Sequence, residues 1–273
     1  VASVDMRLTE GESDCHFIID DMDGLDYVVA LAKARGLAFY EEPYPAFMSV
    51  LLRELGGCFL DVGANTGLYT LMAAAVRPDL VVHAFEPLVT ISDILARNIR
   101  LNPSTQSRIT VHRIALSNVT GEADFFETIN PHGLLTTSSG LNEAFSRKCG
   151  ETRLHRAPTI TMDDWCAQQN LGDIALIKID VEGFEREVVL GARNILSSRR
   201  PPIGIELLGD ADFDYFSGFL KRHNYIDCVL TPGRMKFAST PVFVAEGWNH
   251  MFIPEELGGL ALRCARQVGL QIG

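Results

Sequence analysis

The sequence predicts an α/β protein with a mostly parallel sheet, helices on both faces and an antiparallel edge strand. Three observations predict it. Residues Cys58–Pro87 read as strand, glycine turn, helix and second strand, the βαβ pattern of a nucleotide-binding unit. Strand-like and helix-like patterns then alternate as far as Leu230, which favours parallel strands joined by crossover helices. Finally, acids stand at the ends of apolar runs, at Asp61, Glu86 and Asp180, where an open α/β sheet binds its ligands.

Residues 1–55 precede this unit and are expected to form an N-terminal accessory segment, with the main domain spanning 56–273. Cys15–Ile19 reads as a short strand, and Leu25–Ala34 and Phe47–Leu55 have helical spacing on either side of Pro43 and Pro45. Tyr40, Glu41 and Glu42 lie just before that break and are expected to form a solvated turn in preference to a cleft wall.

The unit itself opens with an apolar strand from Cys58 that meets Asp61, and a helix is predicted over Leu68–Val76, followed by a strand over Leu80–Phe85. The turn reads D-x-G-x-N-x-G. Gly63 permits positive φ and a close backbone approach to a ligand, Asn65 tolerates the left-handed region, and Gly67 opens the helix, whose first N–H groups attract polar or anionic atoms. A dinucleotide fingerprint requires G-x-G-x-x-G, but Asn65 replaces the second glycine and Leu68 the third. The acid two residues before Gly63 suits a ligand carrying an ammonium, a carboxylate and a ribose, and S-adenosylmethionine has all three. Asp61 is placed for the amino group, the turn amides for the carboxylate, and Glu86, 19 residues after Gly67, for both ribose hydroxyls. The candidate cofactor contacts are Asp61, Gly63, Ala64, Asn65, Gly67, Glu86, Pro87, Ser117 and Asp180.

Beyond Pro87, Ile91, Ile94, Leu95 and Ile99 mark a helix stopped by Asn102 and Pro103, and Ile109–Ile114 reads as a third strand leading to Ser117, a candidate adenine contact. Residues 121–160 interrupt the alternation with an extra strand over Ala123–Phe126 and a polar loop at 130–140 expected to act as a lid, in which His132 is the one evident acid-base group. Thr161 and the acids after it form a helix-capping signal. Ile174–Asp180 is a buried strand with an acid at its tip. Val181-Glu182-Gly183 then turns into a helix carrying Phe184, Val188, Ala192 and Ile195, and Ile203–Leu208 is a strand bearing Glu206. A helix over Phe213–His223 and a strand over Tyr225–Leu230 follow. Val242–Ala245 and Met251–Ile253 are expected to add the antiparallel edge.

Composition narrows the function classes. The 273 residues are 47% hydrophobic and 22% charged, a globular balance, and the net charge of -11 disfavours a nucleic-acid backbone as partner. A neutral or cationic small molecule is the expected partner. The six cysteines include no C-x-x-C pair, as expected for a reducing cytosol, and no apolar run reaches membrane-spanning length. The N-terminus lacks the basic and apolar regions of a signal peptide, so a cytoplasmic location is expected. The first residue is Val1, the start of a trimmed chain or of a piece of a longer one.

Taken together, F-L-D-V-G-A-N-T-G, H-A-F-E-P, A-R-N-I-R-L-N, T-M-D-D-W and I-K-I-D-V-E-G-F-E resemble the FkbM-type S-adenosylmethionine-dependent methyltransferases over about residues 40–208. The resemblance implies a class I methyltransferase fold with a seven-stranded Rossmann-like sheet, and methylation of a hydroxyl on a sugar, polyketide or other natural product. It implies cofactor binding by Asp61, Gly63, Asn65, Gly67 and Glu86, with Asp180 and Glu182 flanking the reaction centre. Met162 stands where the family usually has Leu, and the lid sequence does not name an acceptor.

An alcohol acceptor needs a base or a metal to lower its pKa. Asp180 is the first candidate to orient or deprotonate it, with Glu182 and His132 as further catalytic candidates. Asp180, Glu182 and Glu206 together are compatible with an oxygen-ligand site for Mg²⁺ or Ca²⁺, although the ion-pair and helix-dipole roles open to these acids make a metal the less favoured expectation. Asp180-Val-Glu-Gly stands where an amine methyltransferase would carry Asn-Pro-Pro-aromatic, which favours oxygen. An NAD-type oxidoreductase and a non-catalytic cofactor-binding subunit remain as alternatives.

Overall fold

The computed structural model describes residues 3–10, 13–135 and 137–273. Strands β1 (Ser3–Glu10) and β2 (Ser13–Asp20) pair as an antiparallel hairpin, followed by helices α1 (Tyr27–Arg35) and α2 (Tyr44–Glu54). The chain then enters β3 (Cys58–Val62), α3 (Leu68–Val76), β4 (Val82–Phe85), α4 (Val89–Arg100) and β5 (Ile109–His112). Strands β6 (Ala115–Leu116), β7 (Gly121–Ile129) and β8 (Glu151–Ile160) leave the main sheet, and β9 (Ile174–Ile179) and β10 (Ile203–Glu206) return to it. Strands β11 (Tyr225–Thr231), β12 (Arg234–Ala238), β13 (Asn249–Pro254) and β14 (Gln271–Ile272) complete it.

The main sheet has nine strands in the order β14-β12-β11-β13-β10-β9-β3-β4-β5. From β10 to β5 all neighbours are parallel, and β13 inserts antiparallel between β10 and β11. The seven-stranded sheet implied by the sequence is therefore present, extended at one side by β12 and β14. The order reverses between β3 and β9, so the chain leaves the carboxyl ends of these two strands toward opposite sides and opens a crevice there. One face packs against β1–β2, α2, α3 and the Gly258–Gln267 helix, the other against Trp165, Val188, Ile195, Phe216 and their neighbours.

Three expectations require correction. The antiparallel strand around Met251–Ile253 is internal, because both its neighbours pair with it. Val242–Ala245 is not a strand. The true extension, β12, is reached through the Pro232-Gly233 turn, with Gly233 at φ 72°, a turn signal that the sequence displayed. Residues 121–160 hold two strands, β7 and β8, in place of a single strand and loop; with β6 they make a three-stranded sheet, β6-β8-β7, and the Glu143–Cys149 helix joins β7 to β8. β8 has no clear sequence signal, because E-T-R-L-H-R-A-P-T-I is largely exposed and shows no clean apolar alternation.

Two asparagines of the A-R-N-I-R-L-N stretch tie the N-terminal hairpin down. Asn102 Oδ1 accepts from Ile18 N at 2.8 Å while its Nδ2 donates to Ile18 O at 2.6 Å, and Asn98 joins Asp20 N (3.1 Å) to Thr66 O (2.8 Å). Asn102→Ala is expected to cost about 1–3 kcal/mol in urea unfolding, since it strips partners from both backbone groups of Ile18. An unchanged midpoint would show that water replaces the clasp without cost.

Candidate active site

A cavity of about 1030 Å³ lies over the carboxyl ends of β3, β4, β9 and β10. Its cofactor-side wall is the turn after β3. Asp61 is fully buried and accepts from Thr70 Oγ1 at 2.5 Å, while its Oδ1 has no hydrogen-bond partner. Burial raises the Asp61 pKa, against the pull of Lys178 and the Thr70 bond. Asn65 takes φ 49° and its N–H donates to Glu86 Oε2 at 3.2 Å; Glu86 Oε1 accepts from Leu88 N at 2.9 Å. Burial pushes the Glu86 carboxyl up to about 7, although both amides favour its ionised form.

The glycines of the turn serve packing more than the sequence suggested. Gly63 has φ 81°, and a Cβ there would stand 1.8 Å from the carbonyl oxygen of Asp180. Gly67, at φ 104°, would meet Leu95 Cδ1 at 2.4 Å and is not on the cavity wall. Its absent side chain admits α4.

The adjoining part of the cavity, over the ends of β9 and β10, is acidic. Asp180 Oδ2 accepts from Lys178 Nζ at 2.7 Å. Lys178 is only 3% exposed, lies beside Asp61 in the β3–β9 register, and stands over the Tyr69 ring at 4.6 Å. Burial opposes its charge, but Asp180 and Asp61 outweigh it and raise the pKa. Asp180, Glu182 and Glu206 each offer a carboxylate oxygen, all within 4.8 Å of one another, a spacing open to a hard divalent cation. Burial, then the Asp180 charge, raises the pKa of both Glu182 and Glu206, and Glu206 Oε2 has no partner. Glu182 is held at φ 58° in the turn after β9, where Glu185 accepts from Val181 N and Gly183 N.

Of the candidate residues, Asp61, Gly63, Ala64, Asn65, Glu86, Pro87, Asp180 and Glu182 line this cavity, and Glu206 joins them. Ser117 does not. β5 ends at His112 and the chain crosses to β6, which pairs with β8, so Ser117 N donates to Ile160 O and the wall is formed by Ile114, Ala115 and Leu116. His132 is also off the wall: it is exposed, and its N–H donates to Asn130 Oδ1 at 2.8 Å. Asn130, Gly133–Leu135 and Thr137–Gly140 of the loop border the cavity, and residue 136 lies outside the described residues. The loop is tied to the N-terminal segment by Leu135 N donating to Leu25 O at 2.8 Å.

Tyr40 and Glu41, expected in a solvated turn, are wall residues. Tyr40 is 8% exposed, and Glu41 Oε2 accepts from Tyr69 Oη at 2.5 Å and from Asn249 Nδ2 at 3.0 Å. No local pattern announces a contact between positions so far apart in the chain. Five of the six cysteines, all but Cys149, are buried. No helix among the described residues is long and apolar enough to cross a membrane.

A parallel sheet in this order, with an antiparallel strand inserted beside its last crossover and an acid closing β3 and β4, is that of a class I S-adenosylmethionine-dependent methyltransferase. The methyltransferase FkbM domain matches residues 61–226, and the chain belongs to that family. It is 28% identical over 229 residues to methyltransferase sdnD of Sordaria araneosa, covering 71% of this chain and 88% of that protein. It is 27% identical over 161 residues to 31-O-demethyl-FK506 methyltransferase FkbM of Streptomyces tacrolimicus, covering 51% of this chain and 60% of the relative. It is also 27% identical to 2-O-methyltransferase NoeI of Sinorhizobium fredii, covering 55% and 63%. The solved methyltransferase FkbM from Methylobacillus flagellatus aligns over 72% of this chain and 43% of its own, at 18% identity and a TM-score of 0.47.

Proposed function

We propose that the protein transfers a methyl group from S-adenosylmethionine to a hydroxyl oxygen of a small natural product. The observation that carries this reading is the meeting, in one cavity, of the acid-bearing turn of β3 with the carboxylates at the ends of β9 and β10. The cofactor supplies an electrophilic methyl on a sulfonium. The residues fit it: Asp61 Oδ1, buried without a partner, is an acceptor suited to an ammonium, and the acidic wall suits a cationic ligand. Asp61 would hold the amino end, Glu86 the ribose hydroxyls, and Ile114–Leu116 with Leu88 the flat base. One relative is named a 2-O-methyltransferase and another a methyltransferase of a 31-O-demethyl compound, which agrees with oxygen as the accepting atom.

On the acceptor side, Asp180 aligns the hydroxyl. Lys178 fixes its Oδ2, leaving Oδ1 for the substrate. Glu182 and Glu206 stand beside it to take the proton, and a positive charge brought next to them lowers the pKa that burial has raised. Alignment of the reacting groups can contribute roughly 7–11 kcal/mol of the barrier. Calorimetry with S-adenosylmethionine and with NAD, followed by labelled-methyl transfer to a panel of alcohols, tests the reading. Binding of NAD alone would sink it.

Glu86→Ala is expected to weaken S-adenosylmethionine binding more than tenfold, because charge-assisted hydrogen bonds are worth about 1.5–3 kcal/mol each. The same residue predicts a pH dependence. Its pKa of about 7 means that the ionised form, the better ribose acceptor, is lost as pH falls through 7, so affinity should drop on the acid side and level off above. A pH-independent dissociation constant in the wild type would remove Glu86 from the contact.

A further inference from the structure

We propose that the acceptor is an uncharged amphipathic alcohol, its hydroxyl-bearing end beside Asp180 and its apolar body held at the cavity mouth by Phe39 and Trp248. This rests on the methyltransferase reading and adds the class of substrate to it.

The mouth carries large apolar side chains that the described residues leave exposed to differing degrees. Phe39 is 62% exposed, Tyr27 55% and Trp248 39%, and all three line the cavity. Scattered surface hydrophobics need no explanation, but aromatic side chains gathered on the wall of a ligand cavity mark a recognition surface. Their gathering is structural. The Asn249–Glu41 bond at 3.0 Å joins two stretches 208 residues apart, so Phe39, two residues before Glu41, and Trp248, one before Asn249, stand on adjoining parts of the rim. Helix α1 adds Tyr27 and Leu31, one turn apart and both on the wall.

Volume and charge restrict what fills this space. Ligand cavities run from about 300 to 1000 Å³, and this one, at 1030 Å³, stands at the top of that range. The wall is rich in carboxylates, and among the described residues its only Lys or Arg side chains are Arg35 and Lys178, the latter already bound to Asp180. An anionic acceptor would meet repulsion at Asp180, Glu182 and Glu206. A small, wholly polar one would leave the aromatic rim in water.

The test is calorimetric titration of the protein saturated with S-adenosylhomocysteine, using hexyl, heptyl, octyl and nonyl β-glucosides below their micelle concentrations. A fully buried methylene tightens binding about fourfold, so about twofold per carbon is expected at this half-open rim. Phe39→Ala combined with Trp248→Ala should flatten the series while leaving S-adenosylhomocysteine affinity unchanged. Affinities independent of chain length, no binding at any length, or the same slope in the double variant would each overturn the proposal. A concentration-dependent dimer dissolved by the double variant would overturn it in favour of a second copy covering the rim. Failure of S-adenosylhomocysteine itself to bind would instead overturn the methyltransferase reading on which it rests.

Discussion

Asp180→Asn is expected to lower methyl transfer by about 10²- to 10⁴-fold while S-adenosylhomocysteine affinity changes little. The substitution preserves shape and removes the charge that faces the acceptor and holds Lys178. Its effect should fall on turnover, because Asp61 and Glu86, on the cofactor side, keep their own partners in Thr70, Asn65 and Leu88. EDTA should leave the wild-type rate intact if a side chain takes the proton. Loss of wild-type activity with EDTA and its return with Mg²⁺ would transfer the role to a cation held by Asp180, Glu182 and Glu206, whose oxygens are close enough for one. A variant as fast as the wild type, insensitive to EDTA, would remove Asp180 from the chemistry.

The second large effect is expected at Gly63→Ala. If the glycine served only to let a ligand approach, the variant would fold normally and lose cofactor affinity. The structure predicts otherwise, because the added methyl would stand 1.8 Å from the Asp180 carbonyl, a backbone atom that cannot turn aside, and φ 81° is already unfavourable for a side chain. Overpacking and strain together should cost about 2–4 kcal/mol. Urea unfolding should show this loss of stability together with slower turnover, since the atom displaced belongs to Asp180. A variant of native stability that merely binds the cofactor poorly would restore the ligand-approach explanation.

The parts of this fold legible in the sequence were those with dense local signals. The α3 helix lies over Leu68–Val76, starting at Gly67 and apolar almost throughout, and the Phe213–His223 helix lies over its predicted span, with Phe216, Phe219 and Leu220 on one buried face. The acids at the strand ends were legible for the same reason. What stayed hidden depended on partners far along the chain. Ser117 reads as a cofactor contact in the sequence, but the departure of β6 from the main sheet turns it away. Glu41 reads as solvated in the sequence, whereas Tyr69 and Asn249 both donate to its carboxylate. β8 was hidden by its exposed, charged face, since its pairing with β7 does not require alternating apolar residues.

The Glu41–Asn249 bond has one more consequence. Both residues, with Phe39 and Trp248, lie outside the 61–226 span shared with the FkbM family, whereas Asp61, Glu86 and Asp180 lie inside it. The family-matched core thus carries the residues proposed for the methyl donor, and two flanks, packed together through α2 and the Gly258–Gln267 helix and joined at the rim by this clasp, form the entrance proposed for the recipient. Selectivity can then be transplanted between relatives as a matched pair of flanks, while a chimaera that borrows one flank alone would arrive with half a doorway.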